Sequence, residues 1–439
     1  MNPTNSSNST NPIVNALTID LEDYFQVHAF SNVIRFEDWD KHESRIERNT
    51  FRLLDILHEC KPNFLSNVPN SLPLTSNLKP QGFGFLPPTS DLSPHDSKFL
   101  PPTSNLKPQG FGFLPPTSDL KPQSSIRATF FILGWVAERY PHLIRTIKDQ
   151  GHEIACHGYA HKLIYTQSKD EFRGDIRKAK AILEDITGDK VIGYRAPSYS
   201  ITQKSKWALE ILMEEGFKYD SSIFPIHHDF YGFPQAPRFP FLISMNGNNN
   251  FEFSLLNLNL EVTPQSAFRN PQCSTQSLVL SPSHSVLSPH DSVLNSQSSV
   301  NPSNPMNASN SINPSNSSNS SNSSNPATSS KFIEFPISTL RICGQNLPLS
   351  GGGYFRLFPY SLIKRGLRRI NEEEEQPFIF YIHPWELDPD QPRLNSVSLK
   401  SRFRHYINLD KTESRFKKFL LDFRFSSIKD LLKTNISTS

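Results

Sequence analysis

Gly151-His152-Glu153-Ile154-Ala155-Cys156-His157-Gly158-Tyr159-Ala160-His161 is the stretch on which the reading of this chain turns. Gly151 stops a helix predicted over Pro141–Gln150, and Glu153 to Cys156 reads as a short buried strand. His157 then stands at a strand end, with His161 four residues further on. On a helix, an i, i+4 pair presents both imidazoles on one face, close enough to share a divalent cation. One added carboxylate completes a two-histidine, one-carboxylate site with positions open for water and substrate, an arrangement suited to hydrolysis. Taken alone, such a pair is more often a helix-surface pair that binds nothing. A zincin protease is excluded, because Cys156 occupies the place where His152-Glu153 would need its second histidine.

Working outward, two more apolar runs end in ionisable residues. Ile13-Val14-Asn15-Ala16-Leu17-Thr18-Ile19 runs into Asp20-Leu21-Glu22-Asp23-Tyr24, and Phe378-Ile379-Phe380-Tyr381-Ile382 runs into His383-Pro384-Trp385-Glu386. Between them the chain alternates. Strand Ala128–Leu133 leads to helix Pro141–Gln150, and strand Glu153–Cys156 to a helix in Ser168–Ile186. Ser168 and Glu171 form a capping-box pattern there, and Phe172, Ile176, Ala179 and Leu183 make the apolar stripe. After Gly188 come strand Val191–Tyr194, helix Lys204–Glu215 and strand Phe217–Tyr219. This rhythm predicts an α/β fold with a parallel sheet, and a barrel explains repeated strand-end chemistry better than an open sheet.

Two stretches break the rhythm. Within 66–123, Thr75 to Pro88 returns almost unchanged at Thr103 to Pro116, punctuated by proline and glycine and without an amphipathic element. Within 243–330, the later part is nearly all Asn, Ser, Pro and Thr, too polar to offset its ordering entropy. Phe251 to Val262 is a candidate hairpin strand inside it. Both are read as excursions, and His95, His284 and His290 within them are discounted as ligands. Residues 1–12 read as a disordered tail. Segments 13–65, 124–242 and 331–439 then make one domain on the order of 290 residues, an ordinary size for a single core.

Composition narrows the class. A net charge of +3 with no dense Lys/Arg stripe does not indicate nucleic acid. Four cysteines without CxxC spacing argue against a zinc knot or a disulfide framework. No signal peptide and no run approaching ~18 apolar residues is visible, so no membrane span and a cytoplasmic location are expected.

With these segments in hand, the chain resembles the polysaccharide deacetylase (NodB-homology) family, carbohydrate esterase family 4. The resemblance is carried by the acidic first motif at Asp20, the His157/His161 pair, Tyr194-Arg195-Ala196-Pro197 and the late His383. Asp20-Leu21-Glu22-Asp23-Tyr24-Phe25, Ala128 to Gly134, Tyr219-Asp220-Ser221-Ser222, Gly351 to Arg356 and His383-Pro384-Trp385-Glu386 are similar to the subgroup linked to PEP-CTERM/exosortase exopolysaccharide loci. The resemblance implies a distorted (β/α) barrel of about seven strands, here with two low-complexity insertions. It implies metal-dependent removal of N-acetyl groups from an N-acetylated polysaccharide in exopolysaccharide biosynthesis, with polysaccharide-assembly machinery as a partner.

On that reading a divalent cation, zinc by preference, is held by His157, His161 and Asp23, with Glu22 the competing ligand. Asp20 takes the proton of the attacking water and Arg195 keeps it ionised. His383 protonates the departing nitrogen, and Asp220 orients that imidazole. A backbone N–H just after Pro197 completes an oxyanion site. Tyr199, Tyr354, Arg356 and Trp385 are expected to line the sugar site. Two other functions compete: a related amidohydrolase on a small amide, and a catalytically inactive glycan-binding module. Plainer roles compete too: Asp20 and Asp23 as helix caps, Arg195 as an ion pair, Trp385 as core, and Gly351 to Gly353 as a tight turn.

Overall fold

The computed structural model describes residues 13–60, 126–228, 230–245, 251–256, 332–394 and 396–436. The repeat around Thr75 to Pro116, the Asn/Ser-rich run, His95, His284 and His290 lie outside the described residues.

Seven parallel strands form the frame. In chain order they are β1 (Val14–Leu21), β2 (Thr129–Ile132), β3 (Glu153–Cys156), β4 (Gly193–Tyr194), β5 (Tyr219–Asp220), β8 (Phe332–Glu334) and β11 (Ile379–Ile382). Their spatial order is β11-β1-β2-β3-β4-β5-β8. Two antiparallel strands, β6 (Phe241–Met245) and β7 (Phe251–Leu255), extend the sheet beyond β8. Residues 243–245 and 251–255 therefore pair onto the sheet, although the sequence reading assigned them to the second excursion. A separate hairpin joins β9 (Thr339–Ile342) to β10 (Gln345–Pro348), and β12 (Arg424–Ser426) adds to the start of β1.

The sheet curls strongly. Arg195, just past β4, donates to Thr18 Oγ1 on β1 at 2.8 Å. Three strand spacings would separate β4 from β1 by about 14 Å in a flat sheet, farther than an arginine side chain reaches. The ladder is open between β8 and β11, where the Ile379 N–H donates to Ser338 Oγ at 2.8 Å and Gly351 bridges to Tyr381. Gly351 has φ 120°, and a Cβ there would lie 2.0 Å from the Tyr381 carbonyl oxygen, so this seam requires glycine. The outcome is a distorted, incompletely laddered α/β barrel.

Strand pleating sorts the side chains. Ala16, Phe131, Ala155, Tyr219, Ile333, Ile379 and Tyr381 fill the interior, while Leu17, Ile19, Leu21, Phe130 and Ile132 face the surrounding helices. The helix Lys169–Thr187 shows why the outer layer forms. Ser168 Oγ accepts from Glu171 N–H at 3.2 Å and Glu171 returns the favour to Ser168 N–H at 2.8 Å, closing the capping box. Phe172, Ile176, Ala179 and Leu183 are its buried stripe, and Gly188 at φ 70° ends it. No helix among the described residues is long and apolar enough to cross a membrane.

Candidate active site

β1 supplies one side of the site through its alternation. Thr18, Asp20 and Glu22 share the inward face, and all three are buried. Asp20 Oδ1 lies 2.6 Å from Arg195 Nη1, whose other donors reach Thr18 Oγ1 and, through Nε and Nη2, the carbonyl and hydroxyl of Ser221. This cradle fixes a fully buried guanidinium beside a buried carboxylate, matching the expected Arg195–Asp20 pair. Tyr199 Oη donates toward Asp20 Oδ2 at 3.4 Å.

Past β3 the chain does not continue as a helix. Gly158 at φ 75° and His161 at φ 52° fold residues 157–163 into a loop, so the two histidines meet through a turn rather than along a helical face. Their ring centroids are 5.4 Å apart. The His157 Nδ1–H donates to the Arg195 carbonyl at 2.8 Å, which leaves Nε2 as a free lone pair. Burial lowers the His157 pKa to about 4, so the imidazole is neutral and ready to ligate.

The carboxylate that joins these histidines is Glu22. One donor atom from each of Glu22, His157 and His161 lies within 4.8 Å of the others. Asp23, the ligand expected from the sequence, is turned the other way. Its carboxylate accepts from Tyr24 N–H (2.8 Å), Ser44 Oγ–H (2.8 Å), Arg45 N–H (2.7 Å) and Ile46 N–H (3.1 Å), capping the start of the helix Ile46–Glu59. Burial raises the Asp23 pKa to about 6 against the pull of those four donors. Strand parity explains the exchange: Glu22 lies two residues from Asp20 on one face, and Asp23 falls on the other.

The residues fit a divalent cation. Glu22 Oε2 is buried with no hydrogen-bond partner, although it sits 2.9 Å from His161 Nε2. Two ligand atoms on a tetrahedral zinc would be roughly 3.3 Å apart, close to that separation. Burial by itself would raise the Glu22 pKa, but the neighbouring His161 and His383 hold it down at about 2.

His383 closes the site from β11. Its Nε2 is 3.3 Å from Glu22 Oε1 and 3.9 Å from Asp20 Oδ2. Its Nδ1 lies 2.7 Å from Glu386 Oε1, and the same oxygen accepts the His383 backbone N–H at 3.1 Å. Burial alone would lower the His383 pKa, but Glu22 and Glu386 raise it to about 9. Glu386, not Asp220, is therefore the carboxylate bonded to His383, and its i+3 spacing from His383 is the signal that was available. Asp220 instead accepts from Ser222 Oγ–H at 2.5 Å, and Ser222 Oγ accepts the Ala196 N–H at 2.7 Å, bracing the Arg195 loop from behind.

Two of the four expected sugar-site residues lie beneath the site. Arg356 is buried, bonded to Glu386 at 2.6 Å and to the carbonyls of Arg404, His405 and Ile407. Trp385 is buried between the rings of His383 (5.2 Å) and His405 (4.2 Å), and its Nε1–H points at Glu22 Oε1 at 3.4 Å. Tyr199 is buried against Asp20, and the half-buried Tyr354 shares a 3.1 Å hydroxyl contact with Tyr231. Tyr231, His228, Phe230 and His28 follow outward from Tyr199. The sequence reading passed over all four, since nothing local in the chain marks a loop aromatic as facing a distant strand end.

The strand ends of one barrel thus bring together two histidines, Glu22, an arginine-paired aspartate and a histidine bonded to Glu386. Residues 115–217 match the polysaccharide deacetylase family model, and residues 298–433 match a domain of unknown function, DUF3473. The chain is 36% identical over 89 residues to a peptidoglycan-N-acetylglucosamine deacetylase of Bacillus cereus, covering 20% of this chain and 32% of the relative. It is 32% identical over 103 residues to a peptidoglycan deacetylase of Helicobacter pylori, covering 24% and 33%. A solved structure of a family 4 carbohydrate esterase from Streptomyces lividans, in complex with acetate, is 23% identical at a TM-score of 0.20, covering 22% of this chain and 48% of that one. The chain thus spans about a third of the length of these curated relatives. Over residues 115–217 the chain is similar to the polysaccharide deacetylase family.

Proposed function

We propose that this protein is a metal-dependent N-deacetylase that removes acetyl groups from an N-acetylated glycan. The observation that carries the reading is the Glu22, His157 and His161 donor cluster lying against Asp20 and His383. A bound divalent cation, zinc by preference, would supply Lewis acidity, lowering the pKa of a water and polarising the acetamide carbonyl. Glu22, His157 and His161 hold it. Asp20, held by Arg195 through Oδ1, takes a proton from the attacking water at Oδ2, the oxygen not engaged by the guanidinium. His383, charged and held by Glu386, gives its Nε2 proton to the leaving nitrogen. The Ser198 N–H, on a turn where Ser198 and Tyr199 both have positive φ, is our donor for the developing oxyanion.

The wording of the first and last motifs supports an exopolysaccharide as substrate, with polysaccharide-assembly machinery as partner. The names of the curated relatives support a glycan built on N-acetylglucosamine. Retention of base, ligand set and acid together weighs against an inactive binding module. Acetate release from N-acetylglucosamine oligomers, measured with and without chelator, tests the reading. Release that stops on chelation and returns with zinc is expected. Release that is indifferent to chelator would overturn the metal role, and no release from any oligomer would overturn the activity.

A further inference from the structure

A ladder of rings climbs from Asp20 to solvent. Tyr199, against Asp20, meets Tyr231 at 6.3 Å, and Tyr231 stacks on His228 at 3.8 Å with planes 10° apart. His228 meets Phe230 at 6.0 Å, and Phe230 meets His28 at 6.5 Å. The exposure rises along it, from 7% at Tyr199 to 56% at Phe230. Tyr165, 40% exposed, donates its hydroxyl to the Phe230 carbonyl at 3.0 Å.

One end of this outer wall is tied to the site: Tyr165 sits in a single turn, Ile164–Thr166, that begins three residues after His161. Burying Phe230 in the core would have been the default for so apolar a ring. Held instead at the opening by a hydrogen bond to its own backbone, it presents an apolar face beside a polar site. That combination matches a pyranose, whose C–H face is apolar and whose rim is hydroxylated.

We propose that Tyr165, Phe230 and His28 form a subsite for a hexopyranose ring adjoining the one that is deacetylated. Tyr165 and Phe230 take the C–H face, and His28 is a hydrogen-bond partner for a ring hydroxyl. The inference rests on the deacetylase reading and narrows it. The preferred substrate is a chain of at least two sugar units, not a free monosaccharide or a small amide.

The test is the dependence of kcat/KM for acetate release on chain length, from N-acetylglucosamine monomer to pentamer. For the wild type we expect a rise of about ten-fold from one unit to three. In Phe230→Ala the pentamer-to-monomer ratio should fall three- to ten-fold, and Phe230→Trp should restore it. Tyr165→Ala should show a smaller fall. An unchanged ratio in Phe230→Ala, or a wild type indifferent to length, overturns the subsite. Calorimetric titration of the pentamer into the same proteins decides the matter without turnover. Weaker binding in Phe230→Ala supports the subsite even where no acetate is released, and equal binding or none overturns it.

Discussion

His157 and His383 face the same space from opposite sides, and they carry protons in opposite ways. Both are largely enclosed. Burial drives the His157 pKa down to about 4, and the Arg195 carbonyl claims its Nδ1–H. His383 suffers the same burial, yet the charges of Glu22 and Glu386 lift it to about 9. Burial sets a common tendency, and the neighbouring carboxylates decide the outcome: His383 has Glu22 at Nε2 and Glu386 at Nδ1, whereas the Nδ1 of His157 meets only a neutral carbonyl. On the proposed mechanism the site divides into a wall that would hold a cation and a wall that would donate a proton.

The sharpest way to break that division is at the first wall. His157→Ala should lose both metal and turnover, by more than about 10³-fold, the scale expected when a metal-activated nucleophile is removed. Glu22→Gln should follow it, with metal content read by mass spectrometry. A Glu22→Gln protein that keeps stoichiometric zinc would return the ligand role to another carboxylate.

His383→Ala comes next. It should keep its metal while turnover falls by roughly 10²–10⁴-fold, the usual contribution of a positioned acid. Equal loss of metal in the His157 and His383 variants would erase the distinction between the walls.

A third imidazole sharpens the comparison, because it is buried without either role. His152 Nδ1 accepts the Ala128 N–H at 3.2 Å, and burial, then the charge of Arg127, lowers its pKa to about 4. The folded value lies below the ordinary one near 6.5, so the unfolded chain binds the extra proton. Stability is complete above pH 6.5 and declines as pH falls toward 4, by about 3 kcal/mol in full. Urea denaturation at pH 7 and pH 5 should show the decline in the wild type and much less of it in His152→Gln. Coincident pH dependences would show that His152 contributes nothing.

The smallest effect concerns Asp23. Asp23→Ala leaves the N–H groups of Tyr24, Arg45 and Ile46 without their acceptor and should cost about 2 kcal/mol of stability. Metal content should stay at the wild-type level, in contrast to Glu22→Gln. Loss of zinc from Asp23→Ala at a pH where the protein is folded would revive the original ligand assignment.

Much of the site was legible in the chain. Apolar runs ending at Asp20, His157 and His383 announce strand ends, and the βα rhythm between them predicts the parallel sheet that carries them. The choice between Glu22 and Asp23 was legible too, in the two-residue alternation that begins at Thr18. The partner of His383 was half legible: Glu386 stands three residues on, but so near a neighbour carries no sign of which way its carboxylate turns.

The sequence by itself determined which residue types arrive at the strand ends, because local periodicity and helix stops are short-range properties of the chain. Only the tertiary structure decided what each one does there. Curling of the sheet brings Arg195 onto Asp20, and it sets Trp385 under His383 and leaves Phe230 at the opening. Proton affinity, ligand geometry and exposure are properties of an environment assembled from segments far apart in the chain, so no single segment encodes them.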